Sequence, residues 1–574
     1  MRDLRDHAAL IHDARGKRWL AFEDPVAVHV ARSVDEVAPA LEAVEAGVQS
    51  GLWAAGFVSY EASPAFDTAL ETKPPDDFPL LWFGLYREPR ETDLAPEDAC
   101  SDPNWQPFLA ADEYRRSIER VKEYIALGET YQVNYTYRLR ATFREDPYPL
   151  FARMIGAQQC DYGAYISIPD WTVCSASPEL FFDLRDCELT SKPMKGTAPR
   201  GLWYADDRRN ADDLRHSDKN RAENVMIVDM VRNDMGRIAD TGSVQATDLF
   251  GVEQYPTLWQ MTSTVRCITS AGMTDIFRAL FPPASITGAP KARTMQIIAD
   301  LENAPRRLYT GTIGFIAPDG RAQFNVAIRT VLVDRRTGTA EYGVGGGIVW
   351  DSTAGSESEE CRTKARVLTQ SRPEFSLLET LLWTPDEGFA FLDRHLTRLA
   401  ESAEYFGRPV CVDAVREALM RAVEGDQPLR VRLVVPEDGT PMVEIQQYTP
   451  HSGDYQVCLA KSPVDASNPF LYHKTTHRAV YERARCPGCD DILLWNEGGF
   501  ITESCIANVV VEMDGELFTP PVECGLLPGI YRAHLLDQGE VREKEISVQD
   551  LSRCTRVFLV NSVRGMWEVL IRDE

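Results

Sequence analysis

Two lysines and four glutamates stand in settings that could do chemistry. Lys195 lies in KPMKGTAPRG, where Pro-Met and Gly-Thr restrict the backbone and can hold its amine in a cleft. Desolvation or a neighbouring cation would lower its pKa and make it nucleophilic. Glu223 lies in KNRAENVMIVDMVRND, and Glu357 and Glu360 in DSTAGSESEECRTKA. Residues three apart share one helix face, so the last two can present both carboxylates to one point. Hard oxygen ligands of this kind suit Mg²⁺. The turns SITGAPKAR (285–293) and GVGGGIV (343–349) could expose backbone N–H groups to an anion, although neither is a nucleotide-binding fingerprint. Further along stand Lys474 in NPFLYHKTTHRAVYERAR, Glu503 in FITESCIANVVV, Arg398 in DRHLTRLAESAEYF and the segment LLPGIYR (526–532). Amine, acid, guanidinium and helix N-terminus are the groups a pyridoxal phosphate site needs. Each also has a bland reading: a surface lysine, a solvated acid, an ordinary tight turn.

These residues need elements to hold them. Helical spacing predicts a helix over 112–127, capped by Asp112 and stopped at Gly128. AENVMIVDMV (222–231) and the stretch from Glu357 to Thr369 also read as helical. Segments 164–168, 310–316 and 340–344 read as strands. The mixture predicts layered α+β structure, not a regular βαβ alternation. A break at RVLTQSRPEFS (366–376), where Pro373 opposes helix continuation, predicts a large domain over 1–370 and a smaller one over 374–574. In the smaller one LRVRLVV, DILLWN and IANVVVEM predict strands, while 394–405 and 474–485 predict helices. No internal repeat is visible.

Composition narrows the function. The chain has 574 residues, with 61 Lys and Arg against 87 Asp and Glu, a formal charge of −26. That acidity argues against nucleic acid and against anionic lipid as main partners. The N-terminus is interrupted by charges, and no apolar run approaches the ~20 residues of a membrane span. The 13 cysteines are an odd number without a regular framework, which predicts reduced thiols in a cytoplasmic protein. The pair Cys486 and Cys489 lacks a second pair at zinc-site spacing and reads as loop thiols. His473 and His477, four apart beside Lys474, read as packing or substrate contacts.

Motif order is more specific than any single residue. YIALGETYQVNYTYR, SPELFF, PMKGTAPRG, AENVMIVDMVRNDMGRI, SITGAPKARTMQII, YTGTIGFI, IRT and GGGIVWDS together resemble the chorismate-utilising enzyme family over residues 50–370. The resemblance implies a Mg²⁺-dependent chorismate site in a cleft between layers, with Glu223, Glu357 and Glu360 as metal carboxylates. It implies that Tyr309, Arg329 and Gly345, Gly346 and Gly347 hold substrate carboxylates and that Ser285 is a nearby hydroxyl. An Arg329 fork can meet a carboxylate with two parallel hydrogen bonds. Two positions depart from the family pattern: Asn220 stands where a further acid is usual, and Gln260 where anthranilate-forming members carry histidine. Lys195 resembles the lysine of the aminodeoxychorismate-forming branch, which implies a nucleophile adding at chorismate C2. Gln132 stands where water-using relatives carry a lysine base, which favours ammonia as the incoming group. No glutamine-hydrolysing segment is recognisable, so ammonia is expected from solution or from a separate glutamine amidotransferase subunit.

The second half, 374–574, resembles the class IV (fold-type IV) aminotransferase family through HLTRL, the Lys474 segment, TESCIANV and LLPGIYR. The resemblance implies that Lys474 is the Schiff-base lysine and Glu503 the partner of the pyridine nitrogen. Arg398, Gly529 and Ile530 would hold the phosphate. It makes a homodimer through this domain an expectation. Together the halves predict p-aminobenzoate synthesis: chorismate and ammonia to 4-amino-4-deoxychorismate, then loss of pyruvate. The competing readings are an aminodeoxychorismate or anthranilate synthase joined to an amino-acid transaminase, or to a non-catalytic binding module.

Overall fold

The computed structural model describes residues 6–94, 101–369, 373–450, 454–486 and 488–572. The chain forms two compact units, one of Met1–Pro199 with Ala211–Arg372, the other of Arg200–Asn210 with Pro373–Glu574. The cut expected between 370 and 374 therefore misses a short segment, 200–210, which joins the second unit; residues 370–372 of the expected break lie outside the described residues. Among the described residues no helix is long and apolar enough to cross a membrane.

The first unit contains two ten-stranded sheets. One core cluster joins them face to face: Ile11, Phe22, Ile166 and Val173 from the first sheet meet Phe57, Trp82 and Phe315 from the second. Helices cover the outer faces. The helix Val34–Gln49 buries Val37, Leu41, Val44 and Val48, the 3–4 spacing of a core-facing stripe. Asp218–Gly236 and Met273–Leu280 contribute Ile227, Val228 and Phe277 to a second cluster, with those residues of Val34–Gln49. On the other face Leu150, Phe151 and Met154 from Pro147–Gln158 pack near Cys361 of the helix Ala354–Ala365.

Two pairings position the candidate residues. Strand Gln132–Thr142 runs antiparallel to Thr339–Ile348, with Gly347 opposite Asn134 and Gly345 opposite Thr136. Strand Met194–Pro199 pairs with Leu258–Ile268 through a register shift between Met194 and Thr197. Gly196, at φ 94°, sits in that irregularity, a conformation that glycine adopts without strain.

The second unit has a four-stranded antiparallel sheet, ordered Gly388–Phe389, Leu377–Thr384, Leu429–Val435, Met442–Gln447. The helices Leu392–Tyr405 and Val412–Ala422 share its core. Its eight-stranded sheet closes on itself, because Ile501–Ser504 pairs both with Asp491–Trp495 and with Asn508–Met513. Arg200 of the short segment forms two 2.7 Å hydrogen bonds to Asp207.

Three local expectations change. The first predicted helix spans Ala111–Ala126 with Ala110 as its N-cap; Asp112 sits inside the first turn and pairs with Arg115 at 2.9 Å. The helix predicted over 474–485 is only Ala479–Ala484. The preceding residues are held to the sheet instead: Leu378 N donates to Lys474 O at 3.0 Å and Thr476 N to Ser376 O at 2.9 Å. Finally, Cys489 is not a loop thiol but is paired in a disulfide with Cys458, Cα atoms 6.1 Å apart. The parallel pairing of Cys458 with Ile492 brings the two chain segments together.

Candidate functional site

A cavity of about 360 Å³ opens in the first unit. It is lined by Lys195, Glu223, Ser285, Tyr309, Arg329, Gly345, Gly347, Glu357 and Glu360, all expected there, and by Glu179 and Lys364, which were not. Gly346 lies on the same strand, and Gln132 reaches the cavity through Gly347. A Cβ built on Gly347 would stand 2.2 Å from Gln132 Nε2 and 3.0 Å from Lys195 Nζ. Glycine at 347 therefore lets an amide and an amine converge. Both polar ends of the Gln132 side chain are buried without a hydrogen-bond partner, an arrangement natural proteins seldom leave unused.

Lys195 is half-buried, and desolvation pulls its pKa below the ordinary lysine value, with Glu223 opposing the shift and Lys364 adding to it. The groups around its strand are braced. Gln260 donates from Nε2 to Gly196 O at 2.8 Å and accepts at Oε1 from Thr197 Oγ1 at 3.2 Å. Asn220 donates to the helix cap Ser217 Oγ at 2.9 Å. Both departures from the family pattern are thus engaged in holding backbone near Lys195 and Glu223. Glu179 follows the chain turn at Pro178 and is 3 % exposed. Burial pushes its carboxyl up to about 7, against hydrogen bonding from Ser285 and the charge of Lys195. An acid that is part-protonated at neutral pH therefore lies near the amine.

The remaining carboxylates sit on the helix Ala354–Ala365, whose start is fixed by a reciprocal cap between Thr353 and Ser356. Glu357 Oε2 and Glu360 Oε1 lie 3.0 and 3.5 Å from where a Gly346 Cβ would stand. Burial raises the pKa of Glu357 and of Glu223. Glu360 is lowered by Lys364, whose Nζ is 2.5 Å from Glu360 Oε1 and 2.8 Å from Gly345 O. Among the described residues no three His, Cys, Asp or Glu side chains enclose a metal by themselves. Two hard carboxylates beside one glycine, with Glu223 lining the same cavity, nevertheless suit Mg²⁺, which leaves positions to water and substrate oxygen.

Arg329 adopts φ 52°, an uncommon conformation for a side-chain-bearing residue that its surroundings must hold. Its Nη1 donates to Lys364 O, which also accepts from Tyr342 at 2.8 Å. One arm of the guanidinium thus caps the helix end while Arg329 lines the cavity. Tyr309 lies against Gly343, where a Cβ would come 2.2 Å from its Cγ, and Arg138 stands 5.0 Å over its ring.

A second cavity, of about 540 Å³, opens in the second unit and includes Lys474, Glu503, Arg398, Gly529 and Ile530 in its lining. Burial pulls the Lys474 amine down to about 8, helped by the charge of Arg398. Burial pushes Glu503 up to about 8. The Tyr481 hydroxyl donates to Glu503 Oε1 at 2.7 Å, and Asn508 Nδ2 approaches Oε2 at 3.4 Å. Gly529 caps the helix Ile530–Asp537 with no side-chain hydrogen bond of its own. A Cβ there would fall 1.8 Å from Asn508 Oδ1, so only glycine fits and its backbone stays open to an anion.

Arg398 is more tightly engaged than expected. Its Nε and Nη2 donate to the two oxygens of buried Glu379 at 2.9 and 2.7 Å, leaving Nη1, 3.3 Å from Pro528 O. His395 Nδ1 lies 2.7 Å from the same carboxylate. Burial works against that charge, but Arg398 and His395 together hold Glu379 down to about 2. Thr475 Oγ1, next to Lys474, is buried without a partner. A half-buried amine, an acid with its own donors, an open glycine backbone and an unpartnered hydroxyl fit pyridoxal phosphate. His473 stacks on Tyr405 at 4.1 Å and His477 lies tilted against Phe470 at 4.6 Å, and both line the second cavity.

Sequence reasoning missed Glu179, Lys364, Glu379 and Tyr481. Glu179, Lys364 and Tyr481 lie inside quoted motifs, and Lys364 pairs with Glu360 one helical turn away; Glu379 and Tyr481 act through partners about twenty residues off, Arg398 and Glu503.

Comparison with known proteins fits this geometry. The family described as chorismate binding enzyme matches residues 6–370, and amino-transferase class IV matches 376–571. Aminodeoxychorismate synthase component 1 of Salmonella typhimurium is 37% identical over 281 residues, covering 49% of this chain and 60% of that protein. Aminodeoxychorismate synthase of Streptomyces pristinaespiralis is 42% identical over 276 residues, covering 48% and 38%. Anthranilate synthase component 1 of Pseudomonas putida is 34% identical over 281 residues, covering 49% and 56%. The chain thus spans less than two thirds of the length of these relatives. The structure of anthranilate synthase component I from Streptococcus pneumoniae superposes with a TM-score of 0.54 at 23% identity, over 64% of this chain and 94% of that one; it shares the fold. With well over half of its residues matched, the chain belongs to the chorismate binding enzyme family, carrying a class IV aminotransferase domain in the same polypeptide.

Proposed function

We propose that the two cavities perform consecutive steps, converting chorismate and ammonia to p-aminobenzoate. The observation that carries this reading is the amine of Lys195 beside Gln132, in a cavity with three glutamates for a metal and Arg329 for a carboxylate. In the first step the Lys195 amine attacks C2 of chorismate. The ring double bond shifts, and the C4 hydroxyl leaves as water with a proton from Glu179, whose carboxyl near neutral pKa suits an acid. Glu179 regains that proton as the attached nitrogen sheds one. Ammonia then adds at C4, both ring double bonds return, and a proton from the incoming nitrogen passes to Lys195, which leaves C2 as a free amine. Gln132, with both amide ends unsatisfied, can hold the incoming ammonia. Glu223, Glu357 and Glu360 would hold Mg²⁺, which supplies positive charge to a substrate carboxylate.

In the second cavity Lys474 would carry pyridoxal phosphate, Glu503 would meet its ring nitrogen, and Gly529, Ile530 and Arg398 would meet its phosphate. When bound, the cofactor supplies an electron sink for the bond broken at the amine-bearing carbon. Lys474 removes the C4 proton of 4-amino-4-deoxychorismate. The bond from C3 to the enolpyruvyl oxygen breaks, the ring becomes aromatic, and the proton goes to the enol carbon to give pyruvate. Ammonia would come from solution or from a separate glutamine amidotransferase subunit.

Purified chain with chorismate, ammonium, Mg²⁺ and pyridoxal phosphate should yield equal amounts of p-aminobenzoate and pyruvate by mass analysis. Anthranilate as product, or accumulation of 4-amino-4-deoxychorismate with transamination of an added 2-oxo acid, would overturn the reading.

A further inference from the structure

Residues 200–210 fall inside the part of the chain matched by the chorismate binding family, yet they pack as part of the second unit. Their sequence, RGLWYADDRRN, sets two apolar residues among charges. Burying Leu202 and Trp203 requires the charges beside them to find partners. Arg200 and Asp207 do so: the guanidinium meets the carboxylate with two hydrogen bonds of 2.7 Å, and the side chains are 7% and 2% exposed. Gly201 N donates to the same carboxylate at 2.8 Å. A buried fork of this kind fixes the backbone at the start of the segment.

From that start the segment reaches two elements that frame the second cavity. Arg200 Nη2 donates to Tyr405 O at 2.7 Å, and the guanidinium lies 4.4 Å over the Tyr405 ring. The Tyr405 hydroxyl returns a 2.9 Å bond to Gly201 O. Tyr405 ends the helix Leu392–Tyr405, which carries Arg398. Trp203 stacks on Tyr472 at 5.5 Å, just before His473 and Lys474 in the chain. Leu202 and Trp203 share a core cluster with Tyr472 and Tyr481. Strand Leu377–Thr384 already ties the same two elements, since Glu379 pairs with Arg398 and Leu378 N bonds to Lys474 O. The segment is a second tie between them, so weakening it loosens their spacing without releasing either.

We propose that segment 200–210 is a positioning element of the second cavity, in which Arg200 and Trp203 set the spacing between the helix of Arg398 and the chain at Lys474. This rests on the reading of Lys474 as the cofactor lysine. Neither residue touches the cavity; Arg200 acts through Tyr405 and Trp203 through Tyr472. Pyridoxal phosphate is held at its phosphate end by the first element and at its aldehyde end by the second, so it needs both at one distance. Pyridoxamine phosphate has no aldehyde, is held at the phosphate end, and tolerates a looser spacing. Retention of the cofactor by the aminotransferase domain thereby depends on residues outside the 376–571 that its family matches.

The test is equilibrium dialysis of the full chain against each of the two cofactor forms, with the visible absorption of the Lys474-bound form followed in parallel. W203L should weaken pyridoxal phosphate about tenfold, the worth of one aromatic pair, and pyridoxamine phosphate less than about twofold. W203F, which keeps a ring against Tyr472, should restore most of the loss. R200K, which keeps the charge but not the planar fork, should show the same selective weakening. Equal weakening of both forms, or unchanged binding of pyridoxal phosphate in W203L and R200K, overturns the positioning role. Should W203L fail to fold, R200K decides by the same ratio. A wild-type chain that binds pyridoxal phosphate no more tightly than pyridoxamine phosphate, and without the visible band, sinks the reading of Lys474 and the positioning role with it. A wild-type preference that survives in the variants sinks the positioning role alone.

Discussion

Each cavity holds one half-buried lysine, and the two are prepared in different ways. Lys195 is desolvated, yet Glu223, Glu179 and Glu360 counter the fall in its pKa. Lys474 is desolvated too, and there Arg398 and Arg478 add to the fall against Glu379 and Glu503, leaving the amine at about 8. Burial alone would make both amines reactive; the neighbours decide when each is charged. An amine among acids can exchange protons with them during a displacement. An amine beside guanidinium groups gives up its proton more readily than an ordinary lysine, which suits an aldehyde cofactor.

The sharpest way to break the comparison is to remove each amine. K195A should abolish formation of 4-amino-4-deoxychorismate, and K474A should abolish pyruvate release while the first product accumulates, each by about a thousandfold or more. Assaying both steps separately on both variants checks this; a loss of the same step in both would mean that the cavities are not independent catalysts. Next in size, E179Q should slow the first step by about 10²–10⁴-fold. Because Glu179 acts as an acid with a carboxyl near 7, wild-type turnover of the first step should fall as pH rises through that region. The profile of E179Q should lack this limb.

A third prediction concerns stability in the second unit. Glu379 is held at about 2 in the fold, below its ordinary value of 4.5. Its contribution is therefore complete above about pH 4.5 and is lost as pH falls from there towards 2. E379Q breaks a buried pair and should cost about 3–5 kcal/mol in denaturant titration at neutral pH, with a flatter acid limb. It should also weaken retention of pyridoxal phosphate, since Arg398 would lose its brace. The smallest effect is steric. G347A would drive a methyl into the Gln132 amide and crowd Lys195, costing about 1–3 kcal/mol of local strain, read as a lower first-step rate with the second step unchanged.

That Lys195, Glu357, Glu360 and the glycine strand line one cavity and Lys474 another was legible in sequence because their motifs are local and ordered. The layered α+β class was legible too, from helical and strand periodicities that alternate irregularly. What escaped depends on pairing across the chain. Glu379 looks like one polar residue in an apolar strand until Arg398 and His395 arrive from a neighbouring helix. The stretch after Lys474 has helical spacing, yet hydrogen bonds to Ser376 and Leu378 hold it extended, a tertiary override of local preference. Cys458 and Cys489 meet through a parallel strand pairing that no spacing rule announces.

The glycine run 345–347 has one more consequence. A cavity wall made of bare backbone has no rotamers to freeze when a ligand arrives. Ordering a long side chain at an interface costs about 0.5–1.5 kcal/mol, and at Gly345 and Gly347 that loss does not arise. The same bareness makes the wall hard to redesign: with Gln132, Lys195 and the backbone of Tyr135 already pressed against these positions, changes of substrate preference must come from residues that face the wall, such as Arg329 and Ser285.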